Sequence, residues 1–151
     1  MENQIKTVNT PKHDFKNIAE ARSWAKKNIT GEYQNEDTGQ MIKVSNAAIE
    51  KYLSEKAIKK SINLDTHFSA LKTLPQIIET SMLQARRPDR DNDPNIVEIQ
   101  RFYGKIYHEG GIYPVKTTIK VIRNEGNNAY SYEVMKIETP EKGAWDRAFV
   151  P

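Results

Sequence analysis

Residues 96–135 read IVEIQRFYGKIYHEGGIYPVKTTIKVIRNEGNNAYSYEVM, and this stretch decides the fold. Ile96 to Tyr107 is rich in β-branched and aromatic residues, and Glu109-Gly110-Gly111 supplies a turn. Beyond it Tyr113, Val115, Thr117, Ile119 and Val121 alternate cleanly, the period of a strand with one buried face. Asn124-Glu125-Gly126-Asn127-Asn128 is a second turn, and the next run sets Tyr130, Tyr132 and Val134 against Ser131, Glu133 and Met135. Three antiparallel strands joined by short turns form a meander.

Upstream of the meander, Arg86-Arg87-Pro88-Asp89-Arg90-Asp91-Asn92-Asp93-Pro94 is dense in charge and carries two prolines, so it reads as a loop dividing a helical half from a strand half. Asp65 caps a helix carrying Phe68, Leu71, Leu74, Ile78 and Met82; Pro75 interrupts it, which predicts a kink or two short helices. Ser45 caps another, with Ile49, Tyr52, Leu53 and Ala57 on one face. Tyr33 on one side and Met41, Ile42 and Val44 on the other flank the turn residues 35–39, a small hairpin. A first helix begins at Asp14 with Phe15, Ile18, Ala19 and Ala25, and Trp24 lies close by. Residues 1–12, polar and with Pro11, read as a flexible lead, and 140–151, with Trp145 and Phe149 among charges, as a C-terminal tail. The expected architecture is a single α+β domain, 13–139, in which two or three N-terminal helices and a small hairpin pack on one face of a C-terminal antiparallel β-meander.

Composition narrows the chemistry. The chain has 151 residues, 37% of them hydrophobic, and no cysteine, which removes disulfide scaffolds, thiolate zinc sites, iron-sulfur clusters and cysteine nucleophiles together. No apolar run approaches the ~18 residues of a membrane span, and the start, MENQIKTVNT, has no apolar signal region. A cytoplasmic protein without a membrane partner is the expectation. Lys+Arg number 23 against 20 Asp+Glu, which permits a nucleic-acid partner without requiring one.

Several strings resemble the large polyvalent-protein-associated domains carried by phages and conjugative elements. They are Thr38-Gly39 leading into Lys43-Val44-Ser45, His67 through Leu74-Pro75, Arg86-Arg87-Pro88-Asp89-Arg90, Arg101-Phe102-Tyr103, Tyr113-Pro114-Val115-Lys116-Thr117-Thr118 and Tyr130-Ser131-Tyr132-Glu133-Val134. The resemblance spans about residues 15–138 and implies a mobile-element-associated domain. At fold level, helices followed by a meander also resemble the barnase, EndoU, colicin and RelE group of metal-independent ribonucleases. That likeness implies a toxin-like endoribonuclease, with RNA as substrate and a cognate protein partner or inhibitor.

Cutting RNA without a metal needs a base for the 2′-hydroxyl, an acid for the leaving oxygen and cations for the phosphate. The candidate acid/base groups are His67, near the start of the Asp65 helix, and His108, at the hairpin bend. Arg101 and Lys116 are the candidate phosphate cations, and Tyr103, Thr118, Arg87 and Tyr132 the candidate substrate-binding residues. Lys116, Thr118 and Lys120 share one strand face, whereas Glu98 and Arg101 point to opposite faces unless a bulge intervenes. The three histidines lie too far apart in sequence to suggest a metal site, and no Gly-rich phosphate loop, GxSxG or HExxH occurs, so no metal or cofactor is expected. Two functions remain open, the endoribonuclease and a non-catalytic module that binds protein or nucleic acid through the sheet and the 86–93 loop.

Overall fold

The computed structural model describes residues 5–139. In chain order its elements are β1 (Thr7–Asn9), α1 (Ile18–Asn28), β2 (Gly31–Gln34), β3 (Met41–Val44), α2 (Asn46–Tyr52), α3 (Glu55–Lys60), α4 (Leu64–Leu71), α5 (Leu74–Thr80), β4 (Met82–Arg87), β5 (Ile96–His108), β6 (Gly111–Asn124) and β7 (Asn127–Ile137). The long strands β5, β6 and β7 are the meander that the alternation dictates. His108 pairs with Gly111 and Asn124 with Asn127, so each hairpin closes over two residues, Glu109-Gly110 and Glu125-Gly126. All four have positive φ, the backbone of a type I′ turn, whose twist matches that of the strands it joins.

The meander is the centre of a seven-stranded sheet of order β1-β5-β6-β7-β3-β2, with β4 also on β5. β4 runs antiparallel beside Ile99–Tyr103 and β1 parallel beside Lys105–Tyr107, so the two share one edge of β5. On the other side the β2–β3 hairpin joins β7 in parallel, Ile42 opposite Tyr130. One sheet face carries Phe102, Ile106, Val115, Ile119, Tyr132, Met135 and Ile137, which form the core with Ala21, Ala25, Ile49, Tyr52, Phe68, Leu71 and Ile77 of the helices. Among the described residues, no helix covers the opposite face.

Local chemistry sets the helix ends. Ser45 caps α2 as the sequence predicts, its Oγ accepting from Ala48 N at 3.1 Å, but the helix stops at Tyr52, because Ser54 caps a new one. Pro75 lies in the first turn of α5, so the expected break is two helices rather than a kink. The first helix is capped by Asn17 rather than Asp14, and the fourth by Asn63 rather than Asp65, which lies within its first turn. Among the described strand glycines, Gly104 has the tightest surroundings: a Cβ there would lie 2.5 Å from Ser81 Oγ.

Three segments differ from the sequence expectation. Met82, expected on the helix that follows Asp65, begins β4 instead, because the extended backbone of Ser81 ends α5 at Thr80. Thr7–Asn9, read as part of a flexible lead, pair with β5, and the Thr10 backbone N–H continues the ladder to the Tyr107 carbonyl at 2.9 Å. Arg86 and Arg87, read as loop, end β4. The expected tail, 140–151, lies outside the described residues. Among those described, no helix is long and apolar enough to cross a membrane.

Candidate nucleic-acid interface

Because Phe102 and Ile106 point to the helices, their neighbours Arg101, Tyr103, Lys105 and Tyr107 point to the open side. The register carries that face across the sheet, with Arg101 opposite Thr118, Tyr103 opposite Lys116 and Ile99 opposite Lys120. Arg87 of β4, opposite Ile99, extends it on one flank, and Lys136 of β7, opposite Lys116, on the other. Five residues singled out in the sequence thus gather here: Arg101, Lys116, Tyr103, Thr118 and Arg87.

Among the described carboxylates, those that meet the lysines of this face are shared. Lys116 and Lys136 share one carboxylate, Glu138, at 3.5 and 3.6 Å, and Lys120 shares Glu133 with Lys51 of α2 at 3.3 and 2.6 Å. Each carboxylate therefore faces two ammonium groups. Arg101 has no ion pair among the described residues, and its Nε is buried without a hydrogen-bond partner. A buried guanidinium N–H left unpaired calls for a reason, although the Thr117 and Tyr132 hydroxyls on the helix side are buried without a partner as well. Tyr107 and Ile112, opposite one another at the end of the hairpin, are exposed by 44% and 46%.

The remaining candidates lie elsewhere. Tyr132 is in the core, where burial, then the charge of Glu133, pushes its hydroxyl well above the usual tyrosine range. His67 is wholly buried: its ring stacks on Tyr52 at 4.0 Å, with Nε2 2.6 Å from the Tyr52 carbonyl and Nδ1 2.6 Å from Ser61 Oγ. Burial, only partly offset by the bond to the Tyr52 carbonyl, lowers its pKa to about 4. This is a satisfied core histidine with no path to a phosphate on the far side of the sheet. Glu98 lies opposite Val121 on the helix side, 3.6 Å from Arg86 Nε; the bulge falls before it, between Ile96 and Glu98, so residues 98–101 alternate regularly and Glu98 does not join Arg101. Arg90 lies in the turn after β4. A cleft of about 460 Å³ is lined by Glu32, Gln40, Met41, Asn128 and Tyr130, away from all the candidates.

His108 is also on the helix side, in a group that no sequence spacing reveals. Its Nε2 lies 3.2 Å from Asp65 Oδ2 and 3.5 Å from Glu109 Oε1, and its Nδ1 lies 3.4 Å from the Thr10 carbonyl. His13 Nε2 meets the other oxygen of Asp65 at 3.0 Å. Burial raises the Asp65 carboxyl, but the His108 hydrogen bond, the attraction of His13 and His108, and the His13 hydrogen bond together hold it below the usual aspartate range.

An α+β domain with one sheet face under helices and the other cationic, with no helix over it among the described residues, is the class these observations define. The chain belongs to the family of large polyvalent protein-associated domain 3, whose sequence profile matches residues 13–130. No curated protein and no solved structure matches the chain.

Proposed function

We propose that the chain is a nucleic-acid-binding module of the mobile-element-associated kind, taking single-stranded RNA across the open face of β5 and β6. The observation that carries this reading is Arg101, with its buried unpaired Nε, set between lysines that outnumber their carboxylates. Phosphates lie along that line, and bases stack on the exposed Tyr107 ring at the hairpin end. The endoribonuclease reading has weaker support. The open face supplies its phosphate cations, but His67 lies in the core and His108 on the covered side, so neither histidine stands beside the phosphate as acid or base.

Fluorescence anisotropy with a short labelled oligouridylate tests the proposal. Affinity should fall with salt, by about 0.7 in log–log slope for each phosphate engaged on a single strand. Arg101→Gln and Lys116→Gln should each weaken binding about fivefold to tenfold and flatten that slope, while Lys59→Gln on the helix side leaves both unchanged. No saturable binding at low salt would refute the proposal and send the search to a protein partner. Cleavage in EDTA with 2′,3′-cyclic phosphate ends, lost in Lys116→Gln, would replace it with the endoribonuclease.

A further inference from the structure

Asp65, His108 and Glu109 each offer a ligand atom, and these atoms lie within 4.8 Å of one another. We propose that they bind a divalent transition-metal ion of the zinc class, His108 through Nε2 and each carboxylate through one oxygen, with a remaining position for water.

His108 is only 2% exposed. Its Nδ1 faces the Thr10 carbonyl, and its Nε2 faces the oxygens of both Asp65 and Glu109. All three neighbours are acceptors. A neutral imidazole has one N–H, so whichever nitrogen holds it, the other presses a lone pair against oxygen. A cation at Nε2 removes the conflict: Nδ1–H donates to Thr10, while the lone pair and both carboxylates converge on one positive charge. Metal-bound histidines are held in this way, the second ring nitrogen donating to a backbone carbonyl.

An independent contact prepares Asp65. His13 Nδ1 accepts from the Phe15 backbone N–H at 3.0 Å, which places the proton of the neutral ring on Nε2, 3.0 Å from Asp65 Oδ1. His13 is therefore a positioning residue, donating to the oxygen of Asp65 that turns away from His108 and leaving Oδ2 toward it. Its own ring is fixed, stacked on Phe15 at 5.6 Å and meeting Phe68 edge-on at 5.3 Å. Asp65 and Glu109 are about half exposed, 47% and 52%, so an ion enters from solvent. One imidazole nitrogen with two carboxylate oxygens suits Zn²⁺ better than Ca²⁺ or Mg²⁺, which take oxygen alone. The rival cation is a proton on His108, and a metal titration separates the two.

The test is calorimetric titration of the full chain, stripped with EDTA and exchanged into buffer, with ZnCl₂, paired with the visible absorption of the Co²⁺ form. One equivalent should bind per chain, with cobalt bands of a low-coordinate site. Glu109→Gln, at an exposed turn, and His108→Gln should each lower the affinity at least tenfold, and His13→Gln by about tenfold or more. Circular dichroism verifies that Glu109→Gln keeps the fold, so that variant decides the matter even where His108→Gln does not fold. Absence of saturable Zn²⁺ binding, or binding that Glu109→Gln leaves unchanged, overturns the proposal. The outcome is independent of RNA binding, which uses the other side of the sheet.

Discussion

Replacing His67 by glutamine should flatten the acid side of the stability curve. Above pH 7 the imidazole is neutral in the folded and the unfolded chain, and its ionisation contributes nothing to their difference. Below the ordinary histidine value of 6.5 the unfolded chain takes up a proton that the folded chain refuses until about pH 4. The folded pKa is depressed, so stability is complete above pH 6.5 and is lost as pH falls through that interval, at about 1.4 kcal/mol per pH unit, or about 3 kcal/mol in all. The physical source is the site itself: a ring stacked on Tyr52, with its N–H on the Tyr52 carbonyl and the Ser61 hydroxyl donating to its other nitrogen, has no room to hydrate a second proton. Urea unfolding followed by circular dichroism at steps from pH 8 to 4.5 measures the effect. The variant loses stability at neutral pH through the broken contacts, about 1–3 kcal/mol, but its curve should fall less steeply than the wild-type curve below pH 6.5. Other acid-sensitive groups cancel in the comparison. Parallel curves for the two proteins would refute the reasoning.

Four further substitutions test the packing and one of the turns. Gly104→Ala drives a methyl group to 2.5 Å from Ser81 Oγ and should cost about 1–3 kcal/mol in chemical denaturation; Ser81→Ala in the same chain should recover part of the loss, because the nearest remaining atom lies at 3.5 Å. Phe102→Ala removes a ring that is 1% exposed and should lower stability by about 3–5 kcal/mol in the same assay. Glu125→Asn places Asn-Gly in a turn whose first residue has φ 50°, and should raise the melting temperature by a few degrees, equivalent to about 0.5–1 kcal/mol.

The meander was legible because its signals are local: alternation over Tyr113 to Val121 and a glycine after each glutamate of the two turns. So were the Ser45 cap and the break at Pro75. The cap positions at Asn17 and Asn63 were missed because Asp14 and Asp65 offer the same acceptor chemistry two or three residues away, and only packing selects between them. β4 hid because edge strands are rich in charge, and Arg86-Arg87 reads as loop for the same reason that it suits an edge. β1, three residues long and paired in parallel with a strand nearly a hundred residues away, carries no local pattern. At the site, period two placed Lys116, Thr118 and Lys120 together, and the pairing of β5 with β6 added Arg101 and Tyr103. The place of His67 just before Phe68 suits a packing role as well as a reactive one, and only the assembled layers, which bury it, decide between them. The group of His13, Asp65 and His108 was invisible because its members come from the N-terminal segment, a helix and a hairpin.

The most direct test of the central claim is an amide chemical-shift titration of the labelled chain with oligouridylate. Shifts should concentrate at Arg101, Tyr103, Lys105, Lys116, Thr118 and Lys120, with the helices α1 to α4 unmoved. Shifts confined to the helix side, or spread over the Glu32–Tyr130 cleft with the β5–β6 face silent, would contradict it.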